Sequence, residues 1–542
     1  MKNSNSDDVS ACRRPGADAL RDVTIGERRI RGRFMRTKTL FGRFAVGFAL
    51  FSMIALSAAV VNAQYGGGYG GGGYGGGSRS GGYGGGGYGG GSRGGGYGGR
   101  SGGYGGGGYG GGGYGGGMGY TSLSGVALAD GVLFKASDAD NIVDRARQEA
   151  AYQGIPGEMK KPSPYRKVSL NRLEKAIKEN GGTVTPEMEN LAGLEKIDYV
   201  FFYPETKDIV IAGPAEGWEP GIEQSELGIE SGRPTLKLSD LVVALRAYPA
   251  NSKPTQLIGC SIDPTKEGLA EMQNFLRTAA QPNVEDAAQV EDYAEGIRES
   301  LGLQDVNVWG ISPNTHFALT LIAADYRMKL IGIGLEEKPV AMTNYVEKSN
   351  PQAMAKNALV RWYFQPDYDC VVQAKDGLGI AIQGEGVKLV GEDELVASQG
   401  KRFATGKANK ASRSYTKSFT EQFAKIASVV PVYADLRNLI DMSVVAAWLQ
   451  KEDIYTKADW AMDFFGNEES FSVETGQPVK QAETAVNIVS HGKSTVSFPV
   501  GGGVMIEPVN ALAAEHLRSD EDGQVARKKA ETTQNADSWW WD

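Results

Sequence analysis

The sequence is poor in the residues that most often bind metals and attack substrates. Its 542 residues include only three cysteines and three histidines. These residues form no HExxH or CxxC pattern, which argues against a zinc site, and no DxDxDG run indicates a calcium loop. We therefore expect no metal site.

Glycine-rich loops of the kind that bind nucleotides are also missing. No GxxxxGK[ST] pattern occurs, and the three glycines at 501–503 lack the lysine and hydroxyl of a phosphate-binding loop. The Gly-Ile-Gly run at 332–334 lacks the third glycine of a dinucleotide-binding turn. We therefore expect no cofactor.

Positive charge is scarce in the part of the chain that can fold. The whole chain has a formal charge of −8, but residues 1–63 contain 11 lysines and arginines against five acids, and residues 64–120 add three arginines. The remaining residues therefore carry a net charge of about −17. Because such a surface repels phosphate backbones, we expect no nucleic-acid partner.

A long hydrophobic run occurs near the beginning of the sequence, FAVGFALFSMIALSAAVV at residues 44–61. Basic residues before it and small residues after it are typical of a secretory signal, with cleavage expected between Ala63 and Gln64. The alternative is an uncleaved membrane anchor, since 18 apolar residues nearly span a bilayer. The charged part before the run is long for a signal, so we predict Met35 as the true start. Cleavage would leave no membrane span and would deliver residues 64–542 to the periplasm or outside the cell.

Residues 64–120 consist mostly of glycine and tyrosine. Glycine loses more backbone entropy on ordering than any other residue, and isolated tyrosines bury too little surface to compensate, so we predict that this segment is disordered. Two interpretations are open. The segment is either a flexible spacer whose ends lie roughly 40 Å apart, or an adhesive segment whose tyrosines stack on one another, on sugars or on arginines.

The composition becomes globular after residue 120. We predict an α/β fold, with α+β as the alternative: a mixed sheet with β-α units in the middle, then a strand-rich subdomain and C-terminal helices. The expected divisions are an α/β domain at 121–355, a second subdomain at 356–508 and a charged tail at 509–542. Helices are predicted at 137–153, 169–180, 239–246, 264–278, 315–326, 418–429 and 432–450. The last two are separated at Pro431, and the last is predicted to bury a stripe of Leu436, Ile440, Val444 and Ala447. Strands are predicted at 126–129 and 132–134, joined by a hairpin turn at Asp130-Gly131, and as a pair within 199–218 joined at 204–207. Further strands are predicted at 255–259, 306–311 and 328–333, within the strand-rich stretch 358–395, and as a last hairpin at 485–490 and 495–500.

Two residues at expected strand ends could form a catalytic pair. Cys260 follows the strand predicted at 255–259 and His316 follows the strand at 306–311, and ligands commonly bind at the carboxyl ends of parallel strands. A thiol beside a helix N-terminus and a nearby histidine can act as nucleophile and base. The alternative is structural: Cys260 is buried or forms a disulfide with Cys370, and His316 lies near a helix cap.

Three acids occur in and beside the strands predicted at 199–218, namely Glu205, Asp208 and Glu216. We interpret them as turn acids, because no spacing in the sequence fixes the distance between them. The alternative is a catalytic pair of carboxylates.

The last residues combine charge with exposed aromatic groups. Residues 520–537 are charged and are predicted to be disordered. They are followed by Trp539, Trp540, Trp541 and Asp542. An aromatic cluster of this kind seldom occurs without a partner. It either docks back onto the folded part or serves as a recognition tag for an export or assembly factor.

Five segments carry a resemblance to a known family. They are YRKVSLNRLEKAI (165–177), AGPAEGW (212–218), GCSIDPT (259–265), ADYRMKLIGIGLE (324–336) and PVYADLRNLIDMSVVAAW (431–448). Together they resemble an uncharacterised domain family of exported planctomycete proteins, over roughly residues 160–508. The resemblance implies export and a single recurring domain. The family has no assigned activity, so the resemblance implies no catalytic residue.

We therefore expect an exported, non-enzymatic binding or structural protein of the cell envelope or extracellular matrix. Its α/β region would contact a protein or a glycan, and residues 64–120 would give it reach. The alternative is a secreted cysteine-dependent hydrolase that uses Cys260 and His316.

Overall fold

The computed structural model describes residues 121–123, 126–135, 154–221, 226–350, 358–474, 477–491, 494–497, 499–532 and 538–542. The chain divides into two units, Met1–Gly110 and Gly111–Asp542, and all described residues belong to the second. The predicted signal region with Ala63 and Gln64, the Gly/Tyr-rich segment and the helix predicted at 137–153 lie outside the described residues.

The described residues form a mixed α/β fold, which confirms the predicted class. The strands are β1 Thr121–Leu123, β2 Val126–Ala129, β3 Val132–Lys135, β4 Ser163–Ser169, β5 Tyr199–Tyr203, β6 Asp208–Ala215, β7 Trp218–Pro220, β8 Glu226–Gly228, β9 Ile258–Pro264, β10 Gln304–Trp309, β11 Ala358–Pro366, β12 Val371–Gln373, β13 Gly379–Ile382, β14 Val387–Val396, β15 Arg402–Ala404, β16 Gln481–Ala482, β17 Ile488–His491, β18 Ser494–Ser497, β19 Val500–Ile506, β20 Arg518–Ser519 and β21 Trp540–Trp541. The helices are α1 Leu170–Glu179, α2 Pro186–Glu189, α3 Leu238–Ala247, α4 Lys266–Thr278, α5 Ala287–Leu301, α6 His316–Ile333, α7 Tyr345–Lys348, α8 Lys410–Val429, α9 Pro431–Lys451, α10 Ile454–Lys457, α11 Pro508–Ala511 and α12 Gln524–Glu531, and a 3₁₀ turn spans Leu191–Gly193.

The larger sheet in the described part has the strand order β1-β2-β3-β16-β10-β9-β19-β11-β14-β15. Two of its pairs, β3 with β16 and β11 with β19, are parallel, which confirms the mixed sheet predicted for the middle of the chain. Strands β9 and β10, however, are antiparallel. Two helices, α4 and α5, connect them and return the chain in the opposite direction, whereas a single crossover helix usually joins parallel strands. The carboxyl ends of β9 and β10 therefore point in opposite directions, so the residues that follow the two strands do not meet at one end of the sheet.

Helix α6 corrects the prediction of a helix at 315–326 followed by a strand at 328–333. It is continuous from His316 to Ile333. Because α6 is buried on nearly all sides, its sequence is apolar all round, and periodicity cannot distinguish such a helix from a buried strand. Its charged residues Asp325 and Lys329 lie one turn apart and form a buried ion pair at 2.6 Å.

The second large sheet has the order β20-β12-β13-β5-β6-β4-β21. Strands β5 and β6 form the hairpin predicted within 199–218, and Lys207 in its turn has a φ of 58°. Strand β4 pairs with β6 on one side through most of its length. On the other side, within the described residues, β4 pairs with β21, which is the edge strand of this sheet.

One hydrophobic core joins the two large sheets. It contains Val200 of β5 and Ile262 of β9, and the central helix α9 contacts α3, α6 and α8. The stripe predicted for this helix is buried, and the chain breaks between α8 and α9 at Pro431 as predicted. Each of the two large sheets therefore contains strands from residues 121–355 and strands from residues 356–508, and the two ranges share one core.

The prediction of disorder at residues 520–537 is wrong for residues 520–532, which the structure describes and which include helix α12. The Asp520 carboxylate accepts hydrogen bonds from the backbone N–H groups of Gln524, Val525 and Ala526 at 2.7, 2.9 and 3.2 Å. An acidic side chain that satisfies free N–H groups stabilises the start of a helix, here α12. Residues 533–537 lie outside the described residues.

Candidate functional site

The two cysteines Cys260 and Cys370 are buried and free. Cys260 lies within β9, between Val308 of β10 and Val504 of β19, and not in a loop after a strand. Burial, and to a lesser degree the charge of Asp325, raise the pKa of its thiol well above the ordinary value. Burial raises the pKa of Cys370 to about 12. Neither residue carries the thiolate that nucleophilic attack requires at neutral pH, and no disulfide joins them.

His316 is joined to a carboxylate. It is the first residue of α6 and follows Thr315, whose Oγ1 accepts a hydrogen bond from the N–H of Ala318. Its Nδ1 lies 2.8 Å from Oδ2 of Asp240 in α3. Burial acts to lower the pKa of His316, but the charge and hydrogen bond of Asp240 raise it above the ordinary value. The structure thus brings His316 to Asp240, and within the described residues no hydrogen bond joins it to Cys260.

The His316–Asp240 pair is closed to substrates. The two residues are 7% and 4% exposed, and His316 Nε2 is buried without a hydrogen-bond partner in the described part of the chain. A histidine acts as a general base only when its second nitrogen faces the reacting group. Among the described residues, no group of three or more histidine, cysteine or acidic side chains is arranged to hold a metal ion.

The three acids that the sequence suggested as turn acids occupy different positions. Glu205 is exposed in the turn between β5 and β6. Asp208 begins β6, is 1% exposed and forms an ion pair with Arg172 of α1. Glu216 is 6% exposed, and its Oε1 accepts a hydrogen bond from the N–H of Ser231 at 2.8 Å. Only Glu205 is simply a solvated turn residue.

Glu216 lies beside a second buried acid, Glu195. The Oγ of Ser231 donates to Oε1 of Glu195 at 2.5 Å. Burial raises the pKa of Glu195 to about 7, and a hydrogen bond and the charge of Glu216 act in the same direction against the Ser231 hydrogen bond. The carboxyl of Glu195 therefore keeps its proton up to about neutral pH. A methyl group at Gly228 would collide with both carboxyl groups, so this pair is covered and has no room for a substrate.

A short added strand occupies the free side of β4. Residues 538–542, which we call the docked segment, contain β21, and β21 runs antiparallel to β4 with Trp540 opposite Val168. The N–H of Ser169 donates to the carbonyl of Trp539 at 2.8 Å. The sequence left open whether these residues dock onto the folded part or serve as a recognition tag. In the structure they are docked.

Arg166 of β4 binds the acidic residue of the docked segment. Its side chain is completely buried. Nη1 donates to the carbonyls of Met159 and Ala192 at 3.2 and 2.7 Å, and Nη2 donates to the carbonyl of Lys161 at 3.1 Å. Nε and Nη2 donate to the carboxylate of Asp542 at 2.8 and 3.1 Å. A guanidinium has five N–H donors, and the docked segment satisfies the two that the backbone carbonyls leave.

The carboxylate of Asp542 is charged in this arrangement. Burial acts to raise its pKa, but hydrogen bonds from Arg166 and Ser163 lower it below the ordinary value. A two-pronged contact of this kind matches the geometry of a carboxylate better than that of an amide. The geometry of Arg166 thus matches the acidic residue of the docked segment.

The aromatic residues of the docked segment lie on both faces of the sheet, because neighbouring side chains of a strand alternate. The ring centre of Trp540 lies 5.1 Å from Cζ of Arg166. Trp541 is 6% exposed and belongs to a core cluster that includes Phe201, and its ring centre lies 6.0 Å from Cζ of Arg172. The edge of β4 therefore holds backbone, aromatic and acidic groups of one short strand.

Sequence reasoning missed Arg166, although it lies in the segment YRKVSLNRLEKAI. The available signal was alternation: Arg166 lies two residues before the apolar Val168, so both point to the same face of β4. A charged residue on a buried face requires a partner. That partner, Asp542, is 376 positions away, and no sequence pattern connects the two.

Comparison with known proteins finds one similarity. Residues 260–345, from β9 into α7, match the model of a family described as a protein of unknown function (DUF1598). No curated protein and no solved structure matches the chain. The matched range contains Cys260 and His316 but not the edge of β4. In the described part of the chain, no helix has both the length and the apolar composition needed to cross a membrane.

Proposed function

We propose that this chain is an exported, non-enzymatic binding or structural protein of the cell envelope, and that its α/β body takes up a β-strand from a protein partner at the edge of β4. One observation carries the proposal. Arg166 is completely buried, yet two of its N–H donors bond a carboxylate on an added strand.

The contacts at β4 are those of a strand-addition site. In this mode of recognition, backbone hydrogen bonds supply affinity and alternate side chains supply specificity. Here the backbone contacts come from β4, Trp541 enters a small apolar cluster, and Arg166 selects the acid. The site therefore fits a partner strand with two aromatic residues followed by an acidic one.

The remaining parts of the proposal come from the sequence. The signal expected at residues 1–63 would export the chain, and residues 64–120 would give the body reach. The resemblance to exported planctomycete proteins over residues 160–508 agrees with export of the chain. The alternative, a hydrolase that uses Cys260 and His316, receives no support from a buried thiol with a raised pKa and a histidine held by Asp240.

The test is peptide binding to a variant that lacks residues 538–542. A fluorescent peptide with the sequence Ser-Trp-Trp-Trp-Asp and a soluble N-terminal linker is titrated with this variant, and binding is followed by anisotropy. We expect a Kd on the order of 10 µM. Replacing the peptide aspartate by asparagine should weaken binding about tenfold, because one charge-assisted pair is lost.

The matched control is Arg166→Met in the same shortened variant. It keeps an unbranched apolar side chain of similar length but has no donors for the acid. We expect no measurable binding to this control. The proposal fails if the shortened variant gives the circular dichroism and cooperative unfolding of a folded protein and still does not bind the peptide.

A further inference from the structure

We infer that the partner strand at β4 comes from a second copy of this chain, so that copies are linked by exchange of their docked segments. The inference rests on the proposed function, because it requires the edge of β4 to accept a strand from another molecule.

Complementarity within the chain identifies the occupant. The edge of β4 bonds an acidic residue through Arg166 and places Trp541 in the cluster around Phe201. The docked segment supplies both groups at the required spacing. Every second copy therefore carries a strand that already fits the site, with the same bonds.

The contacts of the docked segment are local enough for exchange. Its described backbone pairing is with β4 alone, over the residue pairs Trp540 with Val168 and Trp541 with Lys167. Its other polar contacts include those of Asp542 with Arg166 and Ser163 and the bond that Arg172 donates to the carbonyl of Ser538. Exchange keeps each of these contacts and changes only the molecule that supplies the segment. This is the condition under which strand exchange between copies has a low cost.

The buried charge disfavours an empty site. Without the docked segment, Arg166 would lose the carboxylate that bonds two of its donors and the Trp540 ring beside it, and the loss of a charge-assisted, two-pronged contact is unfavourable. A copy that releases its own docked segment therefore takes up another one, either its own again or that of a neighbour. Occupation by a neighbour competes with an intramolecular effective concentration in the millimolar range. Exchange is thus favoured where copies are crowded on one surface.

The test mixes an acceptor with a donor. The acceptor is the chain that lacks residues 538–542, and the donor is the chain with Arg166→Met, whose own site cannot pair its Asp542. Light scattering after size-exclusion chromatography should show a one-to-one complex. A donor that also carries Asp542→Asn is the matched control, and we expect it to bind the acceptor at least about tenfold more weakly.

A second measurement avoids dependence on the folding of the donor. Two wild-type preparations with different affinity tags are mixed at up to roughly 1 mM, the effective concentration of a short connection, and are then diluted and captured through one tag. We expect the second tag to be recovered with wild-type protein and to fall at least about fivefold with Asp542→Asn in both preparations.

The outcomes separate the inference from the proposed function. If the acceptor binds the Ser-Trp-Trp-Trp-Asp peptide but forms no complex with the donor, and the wild-type preparations do not exchange, the second copy is not the partner and the strand-addition site stands. If the folded acceptor does not bind the peptide either, both fail.

Discussion

Each of the two large sheets contains an arginine that bonds acidic side chains of other strands. The sheets differ in how firmly the strands that carry these acids are held. In the larger sheet, Arg361 of β11 bonds Asp263 of β9 at 2.8 Å and Glu394 of β14 at 3.0 Å. In the other sheet, Arg166 of β4 bonds Asp542 at 2.8 Å. Strand β14 is held to β11 along the whole of Ala358–Pro366, whereas β21 is held to β4 by two residue pairs.

The difference shows that the bond alone does not decide the role of an arginine. Separating Glu394 from Arg361 requires opening the nine residue pairs between β11 and β14, so that pair can only stabilise the fold. Separating Asp542 from Arg166 requires opening two residue pairs at an edge, so that pair can also recognise a partner. The comparison predicts that both arginines contribute to stability and that they differ in their effect on binding.

The largest expected effect comes from replacing Arg166 by methionine. Arg166→Met leaves three backbone carbonyls and Asp542 without their donor, whereas Arg361→Met removes its bonds to Asp263 and Glu394, both of which keep an ion pair with Arg402. We expect Arg166→Met to lower the free energy of unfolding by about 3–5 kcal/mol in urea titrations, and Arg361→Met to lower it by less. In the variant that lacks residues 538–542, Arg166→Met should abolish peptide binding and Arg361→Met should leave it unchanged. Equal loss of peptide binding in both would remove the distinction between the sheets.

A pair of acids gives the next largest effect and depends on pH. The pKa of Glu195 is about 7 in the folded protein against 4.5 ordinarily, so the folded state binds its proton more tightly than the unfolded state. The resulting stability is fully present below about pH 4.5 and is lost as the pH rises through about 7. We expect Glu195→Gln, which stays neutral, to gain about 2–3 kcal/mol relative to wild type between pH 4.5 and 8.

Urea titrations at both pH values measure this gain, and Glu205→Gln is the matched control because Glu205 is exposed in a turn. A constant difference between wild type and Glu195→Gln across this range would contradict the raised pKa of Glu195.

A smaller effect is expected from Asp542→Asn. The Asp542 side chain is 43% exposed, so water can replace part of what its charge contributes. We expect a loss of about 1–2 kcal/mol in the free energy of unfolding, less than for Arg166→Met. Lys207→Gln is a control, because Lys207 forms an exposed pair with Asp459 and should change stability by less than about 0.5 kcal/mol. A loss as large as that of Arg166→Met would mean that Asp542 is a fixed part of the core.

The smallest expected effect is the labelling of the two thiols. A thiol-reactive probe at pH 7.5 should leave Cys260 and Cys370 unmodified in the folded protein and should modify both in urea, because burial raises the pKa of each. Mass spectrometry of the peptides that contain them gives the extent of labelling. Rapid labelling of Cys260 in the folded protein would favour the hydrolase.

The sequence predicted the elements whose periodicity or turn chemistry is local. The hairpin at Asp130-Gly131, helix α1, the strands β5 and β6 and the break at Pro431 all follow from such signals. It did not predict that 328–333 belongs to α6, because a helix buried all round has no amphipathic period. It also could not give the direction of β10 relative to β9, because the pairing of strands is set by tertiary contacts.

The candidate site was less predictable than the fold for the same reason. The docked segment was singled out by its tryptophans, but its partner Arg166 is distant in sequence. Glu195 and Glu216 meet because their loops are held by the turn around Ser231. Charged groups at buried positions indicate that a partner exists, and only the fold identifies it.

The most direct test of the account is hydrogen exchange along β4, measured by mass spectrometry. In the intact chain the amide of Ser169 donates to the carbonyl of Trp539, and the amide of Lys167, two residues earlier, faces the docked segment on the same side of β4. We expect these amides to be protected in the intact chain, to exchange faster in the variant that lacks residues 538–542, and to regain protection when the Ser-Trp-Trp-Trp-Asp peptide is added. Exchange at β4 that the peptide leaves unchanged in the folded variant would contradict the account.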